Sequence, residues 1–478
     1  MSETKLNVVQ KLKELGYKTI EESWYSYVDL WQKWYKGNVQ GFHDYRVWNG
    51  QKRVNCRRYT LGMAKKVCED WANLLMNEKV QITLEGEKEQ EFIDKVFADN
   101  SFEVAMNELQ ERGAAAGTYA VIPRVTKATL NEKGELVEGG EIDLDYITAE
   151  NIFPLAWVHR EITECAFASV INSEGKKYLY MQLHTLKNGQ YEILNKIYEA
   201  TDGASKEVRF ADVKGMEAVP DKPILTQSNK PQFVIGRYNI VNNVEDNNPM
   251  GIAVYANAID QIKACDIVYD SYVNEFVLGK KRVMVKPSAT KNLEGENVFD
   301  PSDVTFYVLP EDINDGEIIQ PIDMSLRTAD HEQGIQTALD LLSAKCGFGE
   351  QHYKFNAGNV TTATQIVSEN STLFRTVKKH EIVLEEVLTN LCRILLRMGN
   401  TYLGAGLNED VEISIDFDDS IIEDRQTDEA RVYMMLNAGL MRPEEARSIL
   451  MNEDIETAKE ALPAMLGLVG GEGQDEVE

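Results

Sequence analysis

Helix, short β-rich insert, helix, glycine-rich loop, very long helix: few folds can use this order of parts, and it fills the middle of the chain. Apolar residues at three-, four- and seven-residue spacing predict a helical run from Gly251 to about Leu278. Ile252, Tyr255, Ile259, Ile262, Tyr269, Val273 and Phe276 make the stripe, and Asp260, Lys263, Asp266, Asp270 and Glu275 mark more polar positions around it. At about 1.5 Å per residue such a helix reaches roughly 40 Å. The period then changes at Gly279-Lys-Lys-Arg-Val-Met-Val-Lys286, and strands are expected near 282–285, 304–309 and 318–322. Basic residues at a helix carboxyl end also suit its dipole, which is the plain reading of Lys280, Lys281 and Arg282. A second helical run, Arg327 to Cys346, returns from the insert. The loop from Gly347 to Gly358 follows, and then a helical pattern from Thr361 to about Met398. This layout suits lining something better than enclosing a small substrate.

The chain has 478 residues, enough for two to four domains with buried cores. No uncharged apolar run approaches the roughly 18 residues of a membrane span. The polar start, Met1-Ser-Glu-Thr-Lys-Leu-Asn7, is not expected to be a signal peptide. Six scattered cysteines without a close pair favour free thiols over a disulfide frame or zinc site. The net charge of −28 disfavours a conventional DNA-binding module, because such a surface repels phosphate at long range. Solubility alone accounts for such a charge, and so does an acidic surface that nucleic acid must pass without sticking. The charge is uneven: from Leu403 onward there are 20 acidic and 5 basic residues.

Helices are expected over the first 40 residues, at 61–77, 87–99 and 102–116. Trp24, Tyr25, Tyr27, Trp31, Trp34 and Tyr35 recur at helical spacing, a stripe that reads as core or subunit interface. Arg46, Lys52, Arg53, Arg57, Arg58, Lys65 and Lys66 are interleaved with Tyr45, Trp48 and Tyr59. Such a mixture can bind phosphate and stack bases, or form a solvated face. Pairing with the acidic face of a neighbouring subunit is favoured, because the rest of the chain is so acidic. Residues 117–245 read as a mostly antiparallel β region. Strands are expected at 119–125, 141–147, 165–171, 177–186 and 190–198, separated by Gly- and Asn-containing turns.

Catalytic signatures are sparse. There is no GxxxxGK[ST] loop, GxSxG elbow, complete dinucleotide glycine motif or zincin helix. The strongest candidate is the carboxylate group Asp416, Asp418 and Asp419 with Glu423 and Asp424. On a strand, Asp416 and Asp418 would share a side and could hold a divalent cation, as in a metal-dependent nuclease. An acidic exposed strand followed by a helix cap is the plainer reading.

The stretches Tyr45-Arg-Val-Trp-Asn-Gly-Gln51 and Leu61-Gly-Met-Ala-Lys-Lys-Val-Cys-Glu-Asp-Trp-Ala-Asn-Leu-Leu-Met-Asn-Glu78 resemble the amino-terminal part of portal proteins from long-tailed, siphovirus-type bacteriophages. Gly358-Asn-Val-Thr-Thr-Ala-Thr-Gln-Ile-Val-Ser-Glu-Asn370 is similar to the family's exit from its tunnel loop into the long helix. Val411-Glu-Ile-Ser-Ile-Asp-Phe-Asp-Asp-Ser-Ile-Ile-Glu-Asp-Arg425, Met434-Met-Leu-Asn-Ala-Gly-Leu440 and the Pro443-Glu-Glu-Ala446 helix start resemble its carboxyl-terminal end.

The resemblance implies an α+β portal fold assembled as a ring, typically of twelve subunits, at one capsid vertex. It implies an N-terminal helical segment (1–40), a wing (41–250), stem helices at 251–279 and 327–346, a clip (280–326), a tunnel loop (347–360), a long wing helix (361–402) and an acidic crown (403–478). Such a ring lets double-stranded DNA in during packaging and out during ejection, without sequence specificity. Its partners are the terminase large subunit, major capsid and scaffold proteins and a head-completion adaptor. It belongs to the virion after assembly in the host cytoplasm, needs no cofactor, metal or membrane, and is not an enzyme. His352, Tyr353, Lys354, Phe355, Asn356 and Asn359 would line the channel, with transient phosphate contacts from Lys280, Lys281 or Arg282. A nuclease built on Asp416, Asp418 and Asp419, and a minor capsid component without a channel, remain the alternatives.

Overall fold

The computed structural model describes residues 3–48, 50–77, 80–127, 129–130, 136–138, 140–201, 204–278, 282–285, 306–308, 319–322, 326–350, 352–354, 363–417, 432–451 and 455–461. The chain divides into two compact units, Met1–Phe417 and Asp418–Glu478.

The first unit opens with α1 (Glu3–Glu14) and α2 (Glu22–Tyr35). The aromatic stripe of α2 is core: Trp24, Tyr25, Val28, Trp31 and Trp34 are buried, and Tyr27 is exposed. Two polar groups of this helix bond to other parts of the unit. Tyr25 donates to the Ile152 carbonyl at 2.8 Å, and the Trp31 carbonyl accepts from Tyr255 at 2.7 Å. A hairpin, β1 (Asp44–Trp48) and β2 (Arg53–Arg57), precedes α3 (Met63–Leu75), β3 (Gln81–Leu84), α4 (Glu87–Asp99) and α5 (Phe102–Ala116). The three expected helices between 61 and 116 therefore form, with α3 shorter than its pattern suggests.

The β region follows: β4 (Thr118–Thr126), β5 (Thr129–Leu130), β6 (Leu136–Glu138), β7 (Glu141–Thr148), β8 (Ile152–Val158), β9 (Glu161–Ser173), β10 (Lys176–Lys187), β11 (Gln190–Thr201), β12 (Ala204–Glu207), β13 (Ile224–Leu225) and β14 (Val234–Arg237). Strands β12-β11-β10-β9-β8 form one antiparallel sheet with β13 beside β11, and β14-β4-β7 form another. Tyr178, Ile197, Phe210 and Val213 make a small separate core on the larger sheet. Helices and mostly antiparallel sheets occur in blocks, the α+β arrangement expected.

Helix α6 runs Ile259–Leu278, preceded by a 3-10 turn at Ala256–Ala258. The helix was expected from Gly251, but residues 251–255 are irregular and turn-like, and backbone groups there bond elsewhere. Gly251 N–H donates to Thr118 Oγ1 at 2.8 Å, and Val254 N–H to the Ala114 carbonyl at 2.9 Å. This crossing brings Gly251 against Gly117, whose carbonyl oxygen would lie 2.2 Å from any Cβ added at 251. Only glycine permits such backbone contact.

After α6 come β15 (Arg282–Val285), β16 (Phe306–Val308) and β17 (Ile319–Ile322), in the order β16-β15-β17. All three strands fall within the segments expected for the insert. Helix α7 (Thr328–Cys346) and α8 (Ala363–Leu403) follow, and β18 (Ile413–Asp416) pairs with β3. The second unit contains α9 (Pro443–Met451) and α10 (Ile455–Ala461). Its Pro443 at the first helical position and Glu444 and Glu445 in the first turn suit a helix start.

Candidate functional site

Helices α6 and α7 pack against each other, and the small sheet lies between them in sequence. At the sheet end, Arg327 grips Glu275 with its backbone N–H and its guanidinium, the closest contact being 2.9 Å. His331 Nε2 stands 3.4 Å from the same carboxylate. Hydrogen bonds from Arg327, with help from His331, outweigh desolvation and lower the Glu275 carboxyl to about 2. The side chains Ile267, Phe276 and Val277 on α6 and Leu341 on α7 remain exposed, Leu341 at 59%. Of the α6 stripe only Phe276 is exposed; Ile267, Val277 and Leu341 are apolar surface outside it.

Helix α6 carries two buried carboxylates near its middle, and both accept main-chain N–H groups. Asp266 Oδ1 accepts from Leu61 N–H at 2.7 Å and Thr60 Oγ1 at 3.0 Å, and Oδ2 lies 3.1 Å from His43 Nε2. His43 Nδ1 accepts from Val39 N–H at 2.8 Å, so Nε2 carries the proton facing Asp266. Asp270 Oδ1 accepts from Tyr59 N–H at 2.9 Å. Charge at these two positions reads as solvent-facing from spacing alone. In the structure it clamps the root of the β1–β2 hairpin to α6.

At its other end α7 stops at Gly347, which has φ +90°. Phe348 N–H reaches back to the Ser343 carbonyl at 3.0 Å, a Schellman-type closure. A Cβ at 347 would also meet Thr376 Cγ2 of α8 at 2.9 Å. Phe348 then stacks on Trp71 of α3 with ring centroids 4.8 Å apart, and His352 stacks on Phe348 at 4.5 Å. Trp71 Nε1 donates to the Cys346 carbonyl at 3.3 Å, and its ring edge meets His380 of α8 at 4.8 Å. One tryptophan therefore joins α3, the end of α7, the loop and α8.

Tyr353 continues this attachment. Its hydroxyl donates to Asp70 Oδ2 at 2.9 Å, and its carbonyl accepts from Gln336 Nε2 at 2.9 Å. His352 Nε2 is 3.8 Å from the same Asp70 oxygen, and Lys66 Nζ is 2.6 Å from Oδ1. Burial by itself would raise the Asp70 carboxyl; the neighbouring His352, Lys66 and Tyr353 outweigh it and hold the group below its ordinary value. Burial and then the Asp70 charge push the Tyr353 phenol upward. His352 and Lys354 are exposed, and Tyr353 is half-buried.

Phe355, Asn356, Asn359, Lys280 and Lys281 lie outside the described residues. Arg282 opens β15 opposite Ile322, and its side chain is likewise outside them. Asp416 is exposed at the end of β18, opposite Gln81. Asp418, Asp419, Glu423 and Asp424 are outside the described residues, among which no three His, Cys, Asp or Glu side chains come together as a metal site. No helix among the described residues is long and apolar enough to cross a membrane. All six cysteines are free.

Two features escaped the sequence reading: the Asp266 clamp and the β1–β2 hairpin. The second had a signal, since Asn49-Gly50 sits between two alternating segments, the usual mark of a tight β turn.

The family described as "Phage portal protein, SPP1 Gp6-like" matches residues 16–463, and the chain belongs to that family. No curated protein matches it. Among solved structures, a chain from the "Neck of native GTA particle computed with C12 symmetry" is similar at 11% identity, over 81% of this chain and 89% of that chain, with a TM-score of 0.37.

Proposed function

We propose that this phage portal protein assembles as a ring around a channel at the capsid vertex, through which double-stranded DNA passes during packaging and ejection. The observation that carries the reading is the family match across residues 16–463, nearly the whole chain. The exposed apolar residues on α6 and α7 support it, because a neighbouring subunit would cover what a single copy leaves open. In this reading α6 and α7 form the stem, β15–β17 belong to the clip, residues 41–250 with α8 form the wing, and 403–478 the crown. Clip and crown would meet the adaptor, the terminase and the capsid or scaffold proteins. The protein would be a virion component assembled in the host cytoplasm.

The loop 347–360 would face the channel, with Trp71 and Asp70 as its anchorage. Tyr353 is then a root fixture, whereas His352, Lys354 and the residues beyond would be nearer the duplex. A wall of net negative charge repels phosphate and keeps the duplex off the surface, which favours sliding over sticking. The chemistry would belong to the packaging motor and not to this chain.

Native mass measurement and negative-stain imaging of the purified chain test the proposal. A closed ring with a central hole is expected. A monomer that nicks plasmid in Mg²⁺, with nicking lost in Asp418→Asn, would replace it with the nuclease reading. An assembly without a hole would point instead to a minor capsid component.

A further inference from the structure

The β1–β2 hairpin has a fixed root and two uncovered faces. Its register places Val47 opposite Val54 and Tyr45 opposite Cys56 on one side. Arg46, Trp48, Arg53 and Arg57 share the other side with Asn55 and with Asp44, which is opposite Arg57. Val54 is 36% exposed and Trp48 62%. A two-stranded ribbon with no packing layer is marginal in water by itself. Yet its root is held firmly: Arg58 N–H bonds the His43 carbonyl at 2.7 Å, and Asp266 and Asp270 of α6 take the main-chain N–H groups of Leu61 and Tyr59. Arg58 also lies over the Phe42 and Tyr45 rings, at 4.2 and 4.9 Å from their centroids. A ribbon rigidly mounted and otherwise bare is preorganised to be covered by another body.

Charge identifies that body. Residues 44–58 hold five basic residues and one acidic residue, in a chain whose net charge is −28. The rest of the chain is therefore the hairpin's electrostatic complement. Exposed acids on α4 and α5, such as Glu91, Asp94, Glu103 and Glu108, beside the exposed Val104, offer matching chemistry. DNA is the poorer occupant, because the remaining surface repels it.

We propose that the β1–β2 hairpin is an arm that seats on the acidic surface of a second copy of this chain, its basic face making ion pairs and its valine face burying apolar area. The proposal rests on the ring reading above and names the contact that would hold neighbours together. The arm is mounted on α6 through Asp266 and Asp270, so its contact would add to any made by the exposed side chains of α6 and α7.

The test uses the full chain with Arg46→Glu and Arg53→Glu together, and a second protein carrying a photo-cross-linking phenylalanine analogue at position 48. Circular dichroism and melting of the first variant establish that its subunit is folded; Arg46→Gln with Arg53→Gln is the milder alternative. The wild-type chain is expected to assemble, and the charge-reversed chain to need at least a tenfold higher concentration to do so. Wild-type assembly should weaken as salt rises from 0.1 to about 1 M, where the screening length falls from about 10 to 3 Å. Position 48 should cross-link to a peptide of another copy. If wild-type rings form and the variant assembles at the same concentration, the arm is refuted and the ring reading stands. A cross-link made only to added DNA, or only within one copy, also refutes it. A wild-type chain that never assembles removes both proposals.

Discussion

Tyr353 donates its hydroxyl hydrogen to Asp70 at 2.9 Å across 283 residues of sequence, tying the loop after α7 to the middle of α3. The bond sits beside the Trp71–Phe348–His352 stack, so aromatic packing and a charge-assisted hydrogen bond act on the same short segment. Removing the hydroxyl in Tyr353→Phe should cost about 1–2 kcal/mol. Asp70→Ala should cost more, about 2–3 kcal/mol, because Lys66 and Tyr353 both lose their partner. Urea denaturation gives the totals. Hydrogen exchange should show faster opening of 348–354 in both variants and unchanged protection in β9–β11. Equal exchange of the loop in wild type and variants would mean that this bond does not hold it.

The crossing of Gly251 over Gly117 makes a different kind of prediction. A methyl group at 251 meets the Gly117 carbonyl oxygen at 2.2 Å and Arg237 Cβ at 2.9 Å. One obstacle is main chain, so the clash cannot be relieved by turning a side chain. Gly251→Ala should destabilise the first unit by about 3 kcal/mol, the upper range for overpacking. Gly334, with nothing within 4 Å of an added Cβ and a helical setting in α7, is the control. Gly334→Ala should stabilise by about 0.5–1 kcal/mol. Similar midpoints for the two variants in thermal melts would contradict the crossing.

Periodicity revealed helices α3, α4, α5, α7 and α8 because each has one apolar face set by local spacing. It revealed β15, β16 and β17 because the period changes sharply at both ends of the insert. It misplaced the start of α6, where Ile252 and Tyr255 continue the helical spacing although residues 251–255 bond to α5 and β4. Those bonds join residues over 130 positions apart, and no local pattern records them. The same limit hid Asp266 and Asp270, whose partners are main-chain groups more than 200 residues away. For the loop, glycines and aromatics marked 347–358 as unusual, but Trp71 as its platform was legible only as one apolar residue of an amphipathic helix.

Asp266 is a buried carboxylate facing His43 and two donors from Thr60 and Leu61. Asp266→Ala leaves those donors without an acceptor in a dry site and should cost about 3–5 kcal/mol. Asp266→Asn keeps the shape and one acceptor oxygen, and should cost less. Exchange of the Leu61 amide proton should speed up in Asp266→Ala, and that of Tyr59, whose acceptor is Asp270, in Asp270→Ala, each followed by NMR. If those amides stay protected, the hairpin root is held by something other than these carboxylates.

Histidine burial sets an acid response. Desolvation lowers both His184, between Phe167 and Phe233, and His380, against Trp71, to about 3. In the unfolded chain each takes a proton near pH 6.5. Between about pH 6.5 and 3 the unfolded chain therefore binds more protons, and stability falls as pH is lowered through that window. It is fully present above pH 6.5. The slope should reach about 1.4 kcal/mol per pH unit for each histidine. Comparing denaturation at pH 7 and 5 gives the total slope, to which shifted carboxyls such as Asp145 also contribute, and the histidine share is read from the variant. His184→Leu should remove about half of the histidine share. An unchanged slope in that variant would assign the acid sensitivity to other groups.

Lys354 tests the proposed channel role apart from assembly. It is exposed and follows directly on Tyr353, so its main chain is placed by the Asp70 and Gln336 contacts while its ammonium group is near solvent. Reversing its charge does not touch the Trp71 stack or the Asp70 bond directly, and a thermal melt of Lys354→Glu establishes that the subunit is folded before its rings and packaged DNA are compared with the wild type. Near a moving duplex the added carboxylate repels phosphate where an ammonium group attracted it. The expected outcome is a several-fold change in packaged DNA per particle, measured by nuclease protection, with rings of unchanged mass. Lys354→Gln should lie between the two, since it removes attraction without adding repulsion. If both variants package normally, position 354 does not meet DNA, and the channel-facing part of the loop must lie elsewhere. If the variant rings fail to form, the side chain belongs to a subunit contact, and the loop would have to be reassigned from channel lining to interface.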